Sequence, residues 1–239
     1  MKAIIPFCAA GAALFLSSCV TTSISNASHP SRSSWRGGGN SLYRGELATA
    51  DLLGLSSAAS PTEAAIQSAL RRGKAGVNLS PGARVMLLQS VALRPDPELL
   101  SAMNAYFDPQ VFSGIPPKGG GSPEMQAKSL RLAAARAGAS HVICVFGTLE
   151  TSESQTPGAA LSWVPLGGEL VPDKDRRTRI NLTALVMNVS SGNWRSVSSA
   201  SVGRRHVSAG LNRSLAWDQQ VLALKSQAYP LLAKEITAL

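Results

Sequence analysis

The chain has little of what would fix a fold or an activity through covalent or metal chemistry. Its 239 residues include only three cysteines, Cys8, Cys19 and Cys144, too few for the disulfide framework of a small secreted domain. The three histidines, His29, His141 and His206, are scattered with no carboxylate at ligand spacing, so neither a metal nor another cofactor is expected. "RGGGN" and "KGGGS" lack the Lys-Ser/Thr ending of a phosphate-binding loop, and no G-x-S-x-G marks a nucleophilic serine. Aromatic residues are sparse, at 5%. Acidic residues are short too: 14 Asp and Glu face 23 Lys and Arg, a formal charge of +9. No apolar run approaches the roughly 20 residues of a membrane-spanning helix. A hydrophobic core must therefore hold the fold, and about 180 residues beyond the N-terminal region suffice for one domain.

What is there begins with an address. Met1 and Lys2 precede an apolar run from Ala3 to Leu16, which small residues follow. One positive charge, a short apolar stretch and a small-residue exit make a secretory leader. Its end, Leu16-Ser17-Ser18-Cys19, resembles the lipobox of bacterial lipoproteins. The resemblance implies a signal peptide of residues 1–18, cleavage after Ser18, and a diacylglyceryl group on the thiol of Cys19. Val20 rather than Asp follows the cysteine, which by the sorting pattern of such lipoproteins implies the outer membrane, with the domain on its periplasmic face. Cys8 leaves with the leader and Cys19 goes to lipid, so Cys144 is the remaining thiol. In a cytosolic chain the basic balance would point to nucleic acid. After export no nucleic-acid partner is expected, and the available polyanions are lipid headgroups, lipopolysaccharide and wall polymer.

Residues 19–45 are rich in Ser, Gly, Asn and Thr without an apolar period, and read as a flexible tether. Trp35, between Arg32 and Arg36, reads as a solvated linker residue. A single periplasmic domain is expected over 46–239, with its core in 83–239. Helical patterns cover 45–55 and a segment opened by "SPTE", a capping box of Ser60 and Glu63 that runs to Gly73. "ARVMLLQSVAL" (83–93) is the apolar run of a buried strand. Asp96 then stands as N-cap before Pro97, with Leu99, Leu100, Met103, Tyr106 and Phe107 on one helical face. "VFSGIP" reads as a short edge strand. Ser122 opens a helix that stops at Gly138 and packs through Ala127, Leu130, Ala134 and Ala137. Strands follow at 140–150, 160–166 and 178–189, the last joined by "SSGN" to a hairpin partner at 194–203. A helix over 214–238 closes the chain, with Leu215, Val221, Leu222, Leu224, Ala228, Leu232 and Ile236 inward and a kink expected at Pro230. The expected class is α/β (α+β): one mixed sheet of about four to six strands, helices packed on it, and a long C-terminal helix.

"AAARAGASHVICVFGTLE" followed by "RINLTALVMNVSSGNW" is similar to the core of periplasmic lipoproteins of the curli-secretion and penicillin-binding-protein-activator type. Ser140 and Asn188 stand where that pattern carries Asp. The resemblance implies fold more than function. The curli-secretion type forms a pore. Here "ALSWVPL" is too short for a membrane strand, and "RSVSSASV" offers serines where lipid-facing residues belong.

Individual candidates for chemistry have plainer readings. Cys144 and His141 are three apart on one strand and point to opposite faces, so Cys144 reads as core filler. Glu150 and Glu153 read as solvated charges rather than an acid–base pair. The basic hairpin end is the exception. Pairing about Ser191-Gly192 sets Arg179 against Arg204, Thr178 against Arg205 and Arg177 against His206, and a shift of one keeps the clusters opposed. Like charges across a ladder are unfavourable, so Arg176, Arg177, Arg179, Arg204 and Arg205 form a candidate anion- or partner-binding patch, unless Asp173, Asp175 and solvent neutralise it. The expectation is a non-enzymatic envelope accessory lipoprotein. It would hold the membrane through lipid on Cys19 and bind an envelope protein through a sheet edge or the basic end, with a homo-oligomer possible. The alternative is an envelope hydrolase acting on wall or lipid.

Overall fold

Two segments with apolar residues on both faces organise the molecule, because such strands must be covered on both sides. In the computed structural model they are β2 (Arg84–Gln89) and the first part of β4 (His141–Gln155). The described residues are 18–26, 49–55, 62–73, 76–90, 92–112, 122–155, 174–208 and 213–239. The leader up to residue 17, the tether beyond residue 26 and the strand expected at 160–166 lie outside them. The remaining strands are β1 (Ser18–Ser23), β3 (Asp108–Val111), β5 (Lys174–Asn188), β6 (Trp194–Ser198) and β7 (Val202–Ser208). The helices are α1 (Thr49–Leu53), α2 (Glu63–Gly73), α3 (Pro97–Asn104), α4 (Pro123–Arg136) and α5 (Arg213–Thr237).

The strands form one mixed sheet of the expected class, ordered β3-β2-β4-β5-β6, with β1 added to β4 and β7 to β5. β2 runs parallel to β3 and β4, and the remaining pairs are antiparallel. Seven strands exceed the expected four to six for two reasons. "SCVTTS" has no apolar alternation and reads as leader end and tether, yet it pairs with Thr148–Glu153 as β1. The hairpin return is also split. Between the pairs Thr183–Ser198 and Ile180–Val202 it uses one residue more than β5 does, a bulge that separates β6 from β7.

α3 and α5 cover one face of the sheet, where Leu99, Met103, Leu224 and Leu232 meet Leu87, Ile143 and Val186. α1 and α4 cover part of the other, where Leu52, Leu130 and Ala134 meet Met86, Val142 and Cys144. Leu52 therefore ties α1 to the domain, and Gly54, at φ +68°, lets the chain pass close to Glu124. Ser122 accepts the Met125 N–H at 3.3 Å to start α4, and Gly138 (φ +70°) ends it, as expected. Ala137 is an exposed cap rather than part of the packing stripe. α2 begins at Glu63, where Thr62 Oγ1 accepts the Ala65 N–H, while Ser60 lies outside the described residues. It buries no residue. Tyr106 and Leu222, both expected inward, are exposed. α5 continues through Pro230, and nothing is described of the Leu215 side chain. The edge strand after α3 is Asp108–Val111, a few residues earlier than "VFSGIP".

Asp96 precedes α3 but makes no side-chain cap. Its carboxylate instead meets Lys225 Nζ at 2.8 Å and accepts the Tyr229 hydroxyl at 2.5 Å, both from α5. Gln89 Nε2 donates to the same carboxylate and to Ser25 Oγ, each at 3.2 Å. The Lys225 side chain is 2% exposed, so desolvation of both charges is tolerable only with this partnering. Burial, followed by the charge and hydrogen bond of Asp96, holds the Tyr229 hydroxyl well above the usual tyrosine range.

β1 is locked by its successor. Ile24 is fully buried, and its N–H donates to the Gly147 carbonyl at 2.9 Å. A Cβ on Gly147 would lie 2.5 Å from Ile24 Cγ2 and 2.8 Å from Leu182 Cδ2, so this glycine makes the room that Ile24 fills. Gly147→Ala is expected to destabilise the domain by about 1–3 kcal/mol through overpacking. Lys225→Met, which strands the Asp96 carboxylate in the core, is expected to cost about 3–5 kcal/mol. Urea unfolding midpoints measure both, and an unchanged midpoint for either variant contradicts the packing described.

Candidate anion-binding face

β4 and β5 remain paired over their full 15 residues, beyond the part of the sheet that α1 and α4 cover. The sequence alternates accordingly. On one face Leu149, Ile180 and Leu182 stay buried under α5. On the other, Thr183, Asn181, Arg179 and Arg177 of β5 lie opposite Phe146, Thr148, Glu150 and Ser152 of β4. Phe146 packs against the second core, and beyond it the set is polar and uncovered by any apolar core among the described residues.

Residues directly opposite across a ladder share a face. The register aligns Cys19, Ser152, Arg177 and Arg205 in one row across β1, β4, β5 and β7. The next row is Thr21, Glu150, Arg179 and Gly203. The pairing is thus one step from the sequence expectation: Arg177 faces Arg205 rather than His206, and Arg179 faces Gly203 rather than Arg204. The five arginines are also divided between faces. Arg177, Arg179 and Arg205 stand on the bare face. Arg176 and Arg204 belong to the α5 side, where the Arg176 guanidinium lies 4.6 Å from the Trp217 ring centroid. Arg204 opposes the buried Thr178 and extends to the rim of the bare face.

The like-charge pair Arg177–Arg205 is relieved by Asp175. Arg205 Nε donates to both carboxylate oxygens at 2.8 and 3.0 Å, and Nη2 lies 2.8 Å from Oδ2. The Arg205 hydrogen bond, acting against burial and helped by the Arg205 and Arg177 charges, holds the Asp175 carboxyl below the usual range. Asp175 thus acts as one neutraliser, and Asp173 lies outside the described residues. Glu150, opposite Arg179, accepts from Asn181 Nδ2 at 2.8 Å instead. Among the described residues no carboxylate forms an ion pair with Arg177, Arg179 or Arg204. A groove of about 580 Å³ runs along this face, lined by Val20, Thr21, Glu150, Arg177, Arg179 and Arg205.

The other candidates do not converge. Cys144 is buried in the second core, and His141 starts the same strand on the opposite face. Glu150 and Glu153 likewise fall on opposite faces of β4. Among the described residues no group of three or more His, Cys, Asp or Glu could hold a metal ion, and no helix is long and apolar enough to cross a membrane. The Asp96–Lys225–Tyr229 cluster, which joins residues 133 positions apart, had no local signal beyond a charged residue on the inward side of α5.

Asn188 and Ser140, the two departures from the Asp-bearing pattern, meet at His141. Asn188 Nδ2 lies 3.3 Å from Nε2, and Ser140 Oγ lies 2.9 Å from Nδ1. Asn188 Oδ1 also accepts the Ser190 and Ser191 N–H groups, closing the hairpin turn.

Fold and site together define an α+β domain in which, among the described residues, no helix covers the arginine-bearing end of one sheet face. The family model described as YafT bacterial lipoprotein matches residues 48–239, and the chain belongs to that family. It is accordingly a bacterial lipoprotein, exported and membrane-anchored. No curated protein matches. Among solved structures, the PelC L103M dodecamer from Paraburkholderia phytofirmans is similar over 69% of this chain and 92% of that chain, at 15% identity and a TM-score of 0.31.

Burial holds the His141 imidazole below its ordinary value. Below pH about 6.5 the unfolded chain takes up a proton that the folded chain resists, so this stabilising contribution is full above that pH and declines as pH falls toward the folded value. The urea midpoint is expected to drop between pH 7 and 5, and His141→Gln is expected to flatten the drop. An equal drop in His141→Gln contradicts the assignment.

Proposed function

We propose that this lipoprotein is held in the outer membrane by lipid on Cys19 and works without chemistry of its own, as an accessory protein that binds another envelope component. The bare face carries the reading. Exposed Arg177 and Arg179 stand on a rigid ladder, and among the described residues they have neither a carboxylate ion partner nor an accompanying nucleophile–base or acid–base pair. That arrangement suits recognition of negative charge. The buried Asp96–Lys225 pair is sealed from substrate and serves the fold.

An envelope protein is the proposed partner at the opposite end of the sheet. There β6 is an edge strand that, among the described residues, pairs only with β5, and it carries Trp194, 48% exposed. An open strand edge beside an exposed aromatic suits strand addition, and a second copy of the chain is one partner able to use it. The curli-secretion-like motifs concern a helix stop and a hairpin turn, and the function proposed does not depend on them.

Crosslinking in intact cells tests the reading. The wild type is expected to recover an envelope protein, Trp194→Ala to recover severalfold less, and Cys19→Ala to lose both palmitate labelling and recovery. Retained palmitate in Cys19→Ala contradicts the anchor. Recovery of no envelope protein, together with hydrolysis of wall fragments by the purified protein, favours the envelope hydrolase instead.

A further inference from the structure

We propose that the arginine face is the surface on which the domain lies against the lipid phosphates of the membrane holding its own anchor. The inference deepens the binding role proposed above and rests on lipid attachment at Cys19.

The sheet register is the first ground. Cys19 and Arg177 occupy one row on adjacent-but-one strands, so their backbones are about 10 Å apart at ~4.8 Å per strand. Arg205, one strand further in the row, lies within about 15 Å. A thioether-linked lipid at Cys19 therefore brings headgroups to the arginines without any movement of the fold.

The second ground is the absence of slack between anchor and core. Cys19 lies within β1, and Ile24, five residues later, is fully buried against Gly147 and Leu182. Five extended residues span only about 17 Å. A Ser/Gly-rich tether starting at Cys19 would let the domain stand away from the membrane, whereas a strand starting there holds this end of the sheet at the surface. Exposed Val20, in the row of Thr151, Thr178 and Arg204, reaches the rim of the groove from the α5 side of the sheet.

The third ground is charge. Glu150 and Asp175, the described carboxylates on this face, are engaged by Asn181 and Arg205, which leaves Arg177 and Arg179 without an ion pair among the described residues. Planar guanidinium groups match phosphate oxygens in paired hydrogen bonds. Lipid and basic residues then act as two signals, the acyl chains for retention and the arginines for orientation. Each arginine near an anionic surface is worth roughly a fivefold change in binding.

The test uses the mature chain from residue 19 with Cys19→Ser, so that no lipid masks the contribution of the face. It is sedimented with vesicles of phosphatidylethanolamine and phosphatidylglycerol, and with vesicles of phosphatidylcholine alone. Binding is expected to the anionic vesicles only, to fall steeply in 0.5 M salt, and to drop at least tenfold in Arg177→Glu/Arg179→Glu. Arg94→Glu/Arg136→Glu, equal in charge change but placed elsewhere, is expected to keep most of the binding. Thermal midpoints confirm that both variants fold. Inorganic phosphate at about 10 mM is expected to leave vesicle binding intact beyond its ionic-strength effect, and specific competition by it would mean a discrete phosphate pocket and overturn the membrane assignment. Equal loss in the two double variants, or no binding to anionic vesicles, also overturns it. If arginine reversal then abolishes envelope crosslinks, the face docks on a protein and the accessory reading stands without the membrane contact. Palmitate retained by Cys19→Ala removes the anchor on which the inference rests.

Discussion

Everything on the bare face depends on β4 and β5 staying paired beyond the last residues that α1 and α4 cover. A two-stranded ribbon in water is marginal on its own. Here the ribbon is supported from one side by α5, through Ile180 and Leu182, and widened at its edges by β1 and β7. The result is a sheet half that is packed below and, among the described residues, open above. Alternation of side chains then leaves no choice: whatever occupies positions 177, 179 and 205 must face water or a charged surface. The arginines are placed by the parity of a strand whose other parity is filled with core residues, and a one-residue slip would bury them.

The closure of the domain around that ribbon comes from the opposite direction in sequence. Asp96 sits between β2 and α3, yet its carboxylate is held by Lys225 and Tyr229 near the chain's end, and Gln89 extends the contact to Ser25. The cluster thus links the turn after β1, the central strand β2, α3 and α5. A buried ion pair is a poor source of net stability, but breaking it is costly, so it favours one docking of α5 over its alternatives. Where α5 sits decides which face of β5 is covered, and hence which arginines are exposed.

Much of this was legible in the residues. The apolar runs at 84–89 and 141–145, the Ser122 cap, the Gly138 stop and the "SSGN" turn all act locally, and each stands where its chemistry requires. Three features were not legible, each for a non-local reason. "SCVTTS" is polar, and its strand identity comes from β4 and from the space Gly147 makes for Ile24. The turn takes four residues, 189–192, between Asn188 and Asn193, which sets β6 two steps from the expected pairing. The bulge at 199–201 takes one step back, so the arginine pairs fell one step away from the expected ones. Asp96 carries every mark of a helix cap, but a lysine and a tyrosine more than a hundred residues later claim its carboxylate. The basic character of the site was visible, whereas its division between two faces needed the register.

The central claim is that the chain enters the sheet at Cys19, the residue proposed to bear the lipid, so that the anchor and the arginine face form one surface. Hydrogen exchange of the acylated protein on vesicles addresses it most directly, read on the peptide spanning residues 20–25. The account predicts protection of these amides comparable to that of residues 148–153 in β4, with which they pair. Exchange at the rate of an unstructured chain would contradict it, and would restore the picture of a domain held away from the membrane on a flexible leash.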